Sequence, residues 1–442
     1  MLAAVVLLSC LLPQTPAPAH PAPAAAAPAP TSEHLAALAR AVDLPTPAER
    51  ARAVDGLLAL TRDVASWRTV CAAFGTFAAL PTGPQVHRVD LPVLDQVEAT
   101  ELHLYVPPGY DPQRPAPLLL WGHGAGGTGE RQHTLWQAVA DELGMLVLCP
   151  TAFAAKPGYH FAPRERAALL AALRWLRRRA NVDENAVFVG GWSQGGHMAW
   201  DVALRQPDLF AGMVPVVGGP RIEQGAKNNL RYLENLVALP IRDLQGGKDQ
   251  ALLLLNLRLA FAQLQKLGAT DARFVEFADL GHDADLAAVD WPAFFRLRRS
   301  PWPKRVVRLA TSADEGRAAW AAILRTAPAV RVDVPLQVDA ARWNKLDEAG
   351  QRAIAYAQVV QATARLVVTD QGQGRFVAEG RHVAAFGLSL AAEQLGKDGA
   401  VEVRWAGRTV KQKLTADAAV LLRDFVERFD RTRLPVVQLE VR

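Results

Sequence analysis

Between residues 84 and 300, short apolar runs alternate with longer segments of helical period. PLLLWGHG, MLVLCP, AVFVGG, GMVPVVGG, LPIRDLQG and ARFVEFAD read as strands. RQHTLWQAVADELG, RERAALLAALRWLRRRA, HMAWDVALRQP, ALLLLNLRLAFAQLQKLG and LAAVDWPAFFRLRR read as helices. Continuous apolar strands interleaved with helices predict an α/β domain whose mostly parallel sheet is buried on both faces. VHRVDLP and ELHLYVPPGY precede them as strands, and in the second Leu102, Leu104 and Val106 share a face. Residues 33–83 predict a helical preface. There Thr46, Pro47 and Glu49 supply a cap, a first-turn proline and an acid at the third helical position, ahead of an apolar stripe of Val54, Leu57, Leu58 and Leu60. After the proline-marked joint SPWPK the texture changes to short strands: RVVRLAT, ARLVVTD, FGLSLA, VEVRWAGRTV and PVVQLEVR. Ala406-Gly407 is placed to turn a hairpin, and TADAAVLLRDFVERFD is an amphipathic helix. Residues 301–442 therefore predict a smaller, strand-rich accessory domain.

Composition narrows the classes. The chain has 442 residues, 50% of them hydrophobic, enough for more than one core. The formal net charge of +5 comes from scattered arginines, without a zinc finger, a basic repeat or an RNP-like aromatic pattern. Nucleic acid is therefore not an expected partner. The densest basic cluster, RWLRRR, ends a predicted helix and reads as a solvated terminus favoured by the helix dipole. At the N-terminus MLAAVVLLSCLL is too short to span a bilayer, and a Pro/Ala tract follows it, with no charged side chain before Glu33. Residues 1–32 fit an export signal and a stiff tether, although a positive n-region is missing. LLSC also resembles a lipoprotein signal, which would put a lipid anchor on Cys10. The expected location is exported: periplasmic, extracellular or membrane-anchored. Cys71 and Cys149 either pair or remain buried thiols. HExxH and zinc-type Cys/His spacings are absent, so no metal site is expected.

The chemistry centres on GWSQG, residues 191–195, between a strand and a helix. A nucleophile on so sharp a turn needs neighbours without Cβ atoms, and the turn aims the Gln194 amide at a developing oxyanion. WGHGAGGTGE follows an earlier strand and lacks both the P-loop ending and the dinucleotide spacing. It reads as the second half of an oxyanion hole, with a backbone amide at Gly124 or Ala125. His123 orders that loop and comes too early in the chain to be the base. Serine needs a base, and the expected chain order is Ser, acid, His. Asp249, behind the Gly246-Gly247 turn, is the assigned acid, with Asp243 as the competing candidate. His282, in LGHDAD after the next strand, is the assigned base for Ser193. Asp283 faces solvent or caps the next helix. His197 reads as a packed histidine on the nucleophile helix. Trp121, Trp192 and His160 are candidates for a substrate pocket, the tryptophans competing with a core role. Nothing in this chemistry needs a cofactor.

LLLWGHGAGGTG, NVDENAVFVGGWSQGGHMAWDVALRQPDLFAGMVPVVGG, LPIRDLQGGKD and FADLGHD resemble the α/β-hydrolase superfamily. Within it the chain looks like the secreted esterases that include feruloyl and acetylxylan esterases, polyhydroxybutyrate depolymerase-like proteins and the phospholipase/carboxylesterase family. The resemblance covers residues 100–300 and implies the same nucleophile, acid and base. It marks residues 84–300 as the catalytic domain and an ester as substrate, plant-polysaccharide-derived and polyester esters included. Two features depart from the pattern: Gln194 stands where Met is frequent, and residues 151–162 lack an extended lid. The leading expectation is a serine carboxylic-ester hydrolase. The alternatives are a serine peptidase acting on short peptides, and a non-catalytic carbohydrate- or surface-binding protein on a relic hydrolase domain.

Overall fold

The computed structural model describes residues 32–151, 158–222 and 225–442. The export-signal, tether and Cys10 readings fall on residues 1–31, outside the described residues. No described helix is long and apolar enough to cross a membrane.

Three helices open the described chain: α1 (Ser32–Asp43), α2 (Pro47–Leu60) and α3 (Val64–Ala72). The expected start signal of α2 is present as a reciprocal box. Thr46 Oγ1 accepts from the Glu49 amide, and the Glu49 carboxylate accepts from the Thr46 amide at 3.0 Å. Strands β1 (Gly83–Val93), β2 (Gln96–Val106) and β3 (Ala116–Gly122) follow, then α4 (Gln137–Leu143), β4 (Leu146–Pro150), α5 (Pro163–Arg177) and β5 (Val182–Trp192). The run continues through α6 (Gln194–Arg205), β6 (Gly212–Val216), β7 (Ile241–Gly246), α7 (Ala251–Lys266), β8 (Ala272–Phe277) and α8 (Trp291–Phe295).

The eight strands form one sheet in the order β1-β2-β4-β3-β5-β6-β7-β8. From β4 onward neighbours are parallel, whereas β1, β2 and β4 pair antiparallel. The period of two is visible in β3. Leu118 and Leu120 pack with α5, α6 and α7, while Leu119 and Trp121 pack with α4 and α8 on the other face. The strand ends of β3, β5 and β7 thus open on one edge, where an α/β sheet holds its ligands.

One predicted helix is shorter than expected. LAAVDWPAFFRLRR gives a 3₁₀ turn at Leu286–Ala288 and the five-residue α8. Pro292 fits only a first turn, and the Asp290 carboxylate caps that new start by accepting from the Ala293 amide at 3.0 Å. The two sides of the break therefore cannot join into one helix.

The C-terminal region comprises β9 (Arg305–Ala310), β10 (Arg317–Ala318), β11 (Ala321–Thr326), α9 (Ala340–Trp343), α10 (Glu348–Gln361), β12 (Ala364–Gly372), β13 (Arg375–Arg381), β14 (Val383–Leu390), β15 (Ala400–Trp405), β16 (Arg408–Lys413), α11 (Ala418–Arg428) and β17 (Val437–Val441). Sheets β16-β15-β13-β12-β9 and β10-β11-β14-β17 enclose a core that includes Leu366, Phe376, Ile323 and Phe386. The Ala406-Gly407 hairpin forms as expected, with Trp405 opposite Arg408 and φ of 49° and 76° at its two corner residues.

RWLRRR is not a solvated helix end. The Arg174 guanidinium donates to the carbonyls of Val42, Val426 and Glu427, and buried Arg177 reaches Glu184 and the Phe429 carbonyl. These arginines tie α5 to α11, and α11 in turn packs against α1, α2 and α3 in one apolar cluster. Next to this seam, Asp208 accepts from Arg433 at 2.7 Å and from Arg428, and Arg299 pairs with Asp430. Burial pushes both carboxyls up, but the facing guanidiniums outweigh it and hold Asp208 and Asp430 far below the usual carboxylate range. Cys71 and Cys149 are free and buried in separate clusters, so the pairing option is not realised.

Candidate active site

Ser193 occupies the turn between β5 and α6 with φ 56° and ψ −108°, a backbone state that L residues rarely hold. Its amide donates to the Val216 carbonyl of β6 at 2.8 Å, which pins the turn to the sheet. Space decides the flanking residues. A Cβ on Gly195 would lie 2.1 Å from the Gly122 carbonyl oxygen, and one on Gly191 would lie 2.5 Å from the Gly195 carbonyl carbon. Only glycine lets the helix start this close to β3.

His282 and Asp249 arrive from two loops at the same edge. His282 Nε2 is 2.7 Å from Ser193 Oγ, and His282 Nδ1 is 2.7 Å from Asp249 Oδ2. The tautomer that satisfies both contacts carries its proton on Nδ1, leaving Nε2 to accept the hydroxyl proton. The Asp249 side chain is 3% exposed and that of His282 is 46% exposed, so the acid is sheltered and the imidazole faces solvent. Asp249 Oδ1 also accepts from the Gln250 amide at 2.7 Å, and its Oδ2 accepts from Gln245 Nε2 at 2.6 Å. The competing acid lies elsewhere. Asp243 is fully buried on β7, and its Oδ2 accepts from Trp200 Nε1 at 2.7 Å. The Gln245 contact had no signal in the sequence, because a glutamine inside a strand carries no motif.

Gln194 is the first residue of α6, directly after Ser193, so its amide has no intrahelical acceptor. In the loop after β3, Gly124 lies close to Ser193: a Cβ there would be 3.9 Å from Ser193 Cβ. The loop turns through a Gly127 amide to Gly124 carbonyl bond of 3.1 Å, leaving Ala125 exposed at its corner. His123 does order this loop. Its Nδ1 is 2.7 Å from the Gly124 carbonyl, and its own carbonyl accepts from the Gly195 amide at 3.1 Å. Burial lowers the His123 pKa, as it does that of His197, which packs against the Gly219 backbone with Nδ1 2.7 Å from the carbonyl oxygen.

A cavity of about 50 Å³ lies beside the nucleophile turn, bounded by His123, Tyr159, Ala168, Leu169, Gln194 and Met198. The Gln194 Oε1 accepts from the Gly158 amide at 3.1 Å, so this side chain closes part of the wall. The pocket candidates fare differently. Trp121 is fully buried against Trp136 and belongs to the core. Trp192 is half-buried against the same cluster, bordering Gly124. His160 is exposed, its amide bonded to Glu165, whereas its neighbour Tyr159 lines the cavity. None of Trp121, Trp192 and His160 lines the cavity: β3 turns Trp121 under the sheet, Trp192 packs on the same cluster, and the bond to Glu165 fixes the backbone at His160.

Residues 119–235 match a family model described as alpha/beta hydrolase fold. Carboxylesterase 20 of Arabidopsis thaliana is 27% identical over 214 residues, covering 41% of this chain and 61% of the relative, less than two thirds of its length. Among solved structures, a thermostable esterase is 21% identical with a TM-score of 0.41, covering 49% of this chain and 63% of that one. The acylaminoacyl peptidase of Pyrococcus horikoshii is 16% identical with a TM-score of 0.38, covering 46% of this chain and 38% of that one.

Proposed function

We propose that this chain, an α/β hydrolase, is a serine carboxylic-ester hydrolase acting on esters with short acyl groups. The observation that carries the reading is the unbroken line Ser193 Oγ, His282 and Asp249, with both contacts at 2.7 Å. Ser193 Oγ attacks the ester carbonyl carbon as His282 Nε2 takes its proton. The amide of Gln194, joined by one at Gly124 or Ala125, holds the negative oxygen of the tetrahedral state. That state collapses, the carbon–oxygen bond to the alcohol breaks, and the leaving oxygen takes the proton from Nε2. Water then attacks the acyl-enzyme by the same route, returning the acid and free Ser193. Asp249 fixes the imidazole tautomer and stabilises the imidazolium throughout.

The short acyl preference is supported by the cavity beside Gln194. It is walled by Tyr159, Ala168, Leu169 and Met198, apolar side chains that suit a small acyl group. An ester rather than an amide is supported by the carboxylesterase relative, whose identity stays modest. The test is a panel of acetyl to octanoyl aryl esters beside aminoacyl amides, with Ser193→Ala as control. We expect acetyl or propionyl turnover that vanishes in the variant, which stays folded. Undiminished turnover in Ser193→Ala refutes the nucleophile, and amide cleavage at comparable efficiency replaces the esterase by the peptidase.

A further inference from the structure

Gln245 and Asp243 leave the same face of β7, two residues apart, and both side chains are fully buried. Each carries one buried oxygen without a hydrogen-bond donor among the described residues: Gln245 Oε1 and Asp243 Oδ1. Their other ends are well placed. Gln245 Nε2 donates to Asp249 Oδ2, the oxygen that also receives His282 Nδ1, and Asp243 Oδ2 accepts from Trp200 Nε1. A buried orphan oxygen is costly, and two on one face of a single strand call for a common explanation.

We propose that Gln245 is a positioning residue for the triad, its amide locked by a buried chain in which Asp243 donates to Gln245 Oε1 and Gln245 Nε2 holds Asp249. This rests on the serine-hydrolase reading of the same site. The chain needs a proton on Asp243 Oδ1. No charged group of the described residues perturbs Asp243, and only Trp200 donates to it, so burial keeps its carboxyl well above the usual range. A protonated carboxyl has one O–H to give, and the amide oxygen two residues on is the acceptor without a partner. With Oε1 so engaged the amide cannot flip, and Nε2 stays on Asp249. The acid of the triad is then held from below by the sheet and from the side by the Gln250 amide.

The experiment compares Gln245→Met, Asp243→Leu and Asp243→Asn in the full chain. The methionine fills the same length without a donor, and kcat for a short aryl ester should fall about 10–100-fold, the usual range for losing a group that orients a site residue. KM should change little, because the group acts on the transition state through Asp249 rather than on the bound ester. Asp243→Leu should follow it, while Asp243→Asn, which keeps both a donor and an acceptor, should recover most of the rate. The downfield proton resonance of His282 Nδ1–H should move in Gln245→Met and not in Asp243→Asn. Wild-type kcat in Gln245→Met, or equal damage in the leucine and asparagine variants, overturns the proposal. Should the wild-type chain neither label with a fluorophosphonate nor hydrolyse esters, the serine-hydrolase reading fails. The proton resonance still tests the chain of bonds: a shift in Gln245→Met supports it and an unmoved resonance refutes it.

Discussion

Replacing Asp208 by Asn tests whether the C-terminal region is a detachable module or part of the stability of the eight-stranded sheet. The substitution keeps volume and one acceptor oxygen but removes the charge that faces Arg428 and Arg433. Those partners are 11% and 2% exposed and Asp208 is 11% exposed. Exposed pairs contribute about 0–1 kcal/mol, too little to matter here. Removing one partner of a buried pair costs about 3–5 kcal/mol, because the remaining cations stay desolvated. Burial and the nearby Arg428 and Arg299 push the Arg433 guanidinium down to about 10, so it remains a cation at neutral pH. Two buried positive groups would then meet without their shared anion. We expect Asp208→Asn to lose about 3–5 kcal/mol in urea unfolding followed by tryptophan fluorescence. Because the contact joins the turn after α6 to α11 and the segment after it, one coupled transition should shift, with the eight-stranded sheet melting together with residues 301–442. Turnover without denaturant should be unchanged. A loss below about 1 kcal/mol, or a second transition that alone moves while the sheet holds, refutes the reasoning.

Acid should expose the same contacts. The folded values of Asp208 and Asp430 lie far below the unfolded value of about 3.9, so their stabilisation is complete above it and is lost as pH falls below it. Asp243 has the opposite sign: its contribution is complete below about pH 4 and declines as pH rises towards its raised folded value. Urea titrations across pH 2–8 should therefore show Asp208→Asn converging on wild type at the acid end, and Asp243→Asn gaining on wild type towards neutral pH. Parallel curves would contradict both assignments. Gly195→Ala should abolish fluorophosphonate labelling and lower kcat by about 100-fold or more, since its Cβ would press on the Gly122 carbonyl and displace the oxyanion loop. Gly56→Ala, which meets nothing within 4 Å on α2, is the matched control and should keep full activity. Equal activities of the two variants would show that the close approach of α6 to β3 is not needed.

The sequence carried the sheet well because buried parallel strands are continuous apolar runs, and PLLLWG or AVFVGG admits few other readings. It carried Ser193, Asp249 and His282 because each sits where a strand ends in glycine-bordered chain. It did not carry α10 or β13, whose polar faces look like loop in a single sequence. The mixed polarity of RWLRRR suited a wet helix end, and only the path of α11 turned those side chains inward. Trp121 shows the same limit: the apolar pattern places it on β3 but leaves open which face is core and which is cleft. Gln245 and Asp243 sat within the quoted strand LPIRDLQG, yet their contacts depend on Trp200 and Asp249, brought in from separate elements.

The cluster joining α1, α2 and α3 to α11 also orders events in time. Arg50 bonds Glu427 across 377 residues of chain, and Trp67, Val70 and Phe74 share one core with Leu421, Leu422 and Phe425. During synthesis the leading helices emerge long before their mate exists. They must wait with apolar faces uncovered until α11 has left the ribosome. Closure over such a separation is slow by its topology. The interval before it is when a holding chaperone would have its opportunity.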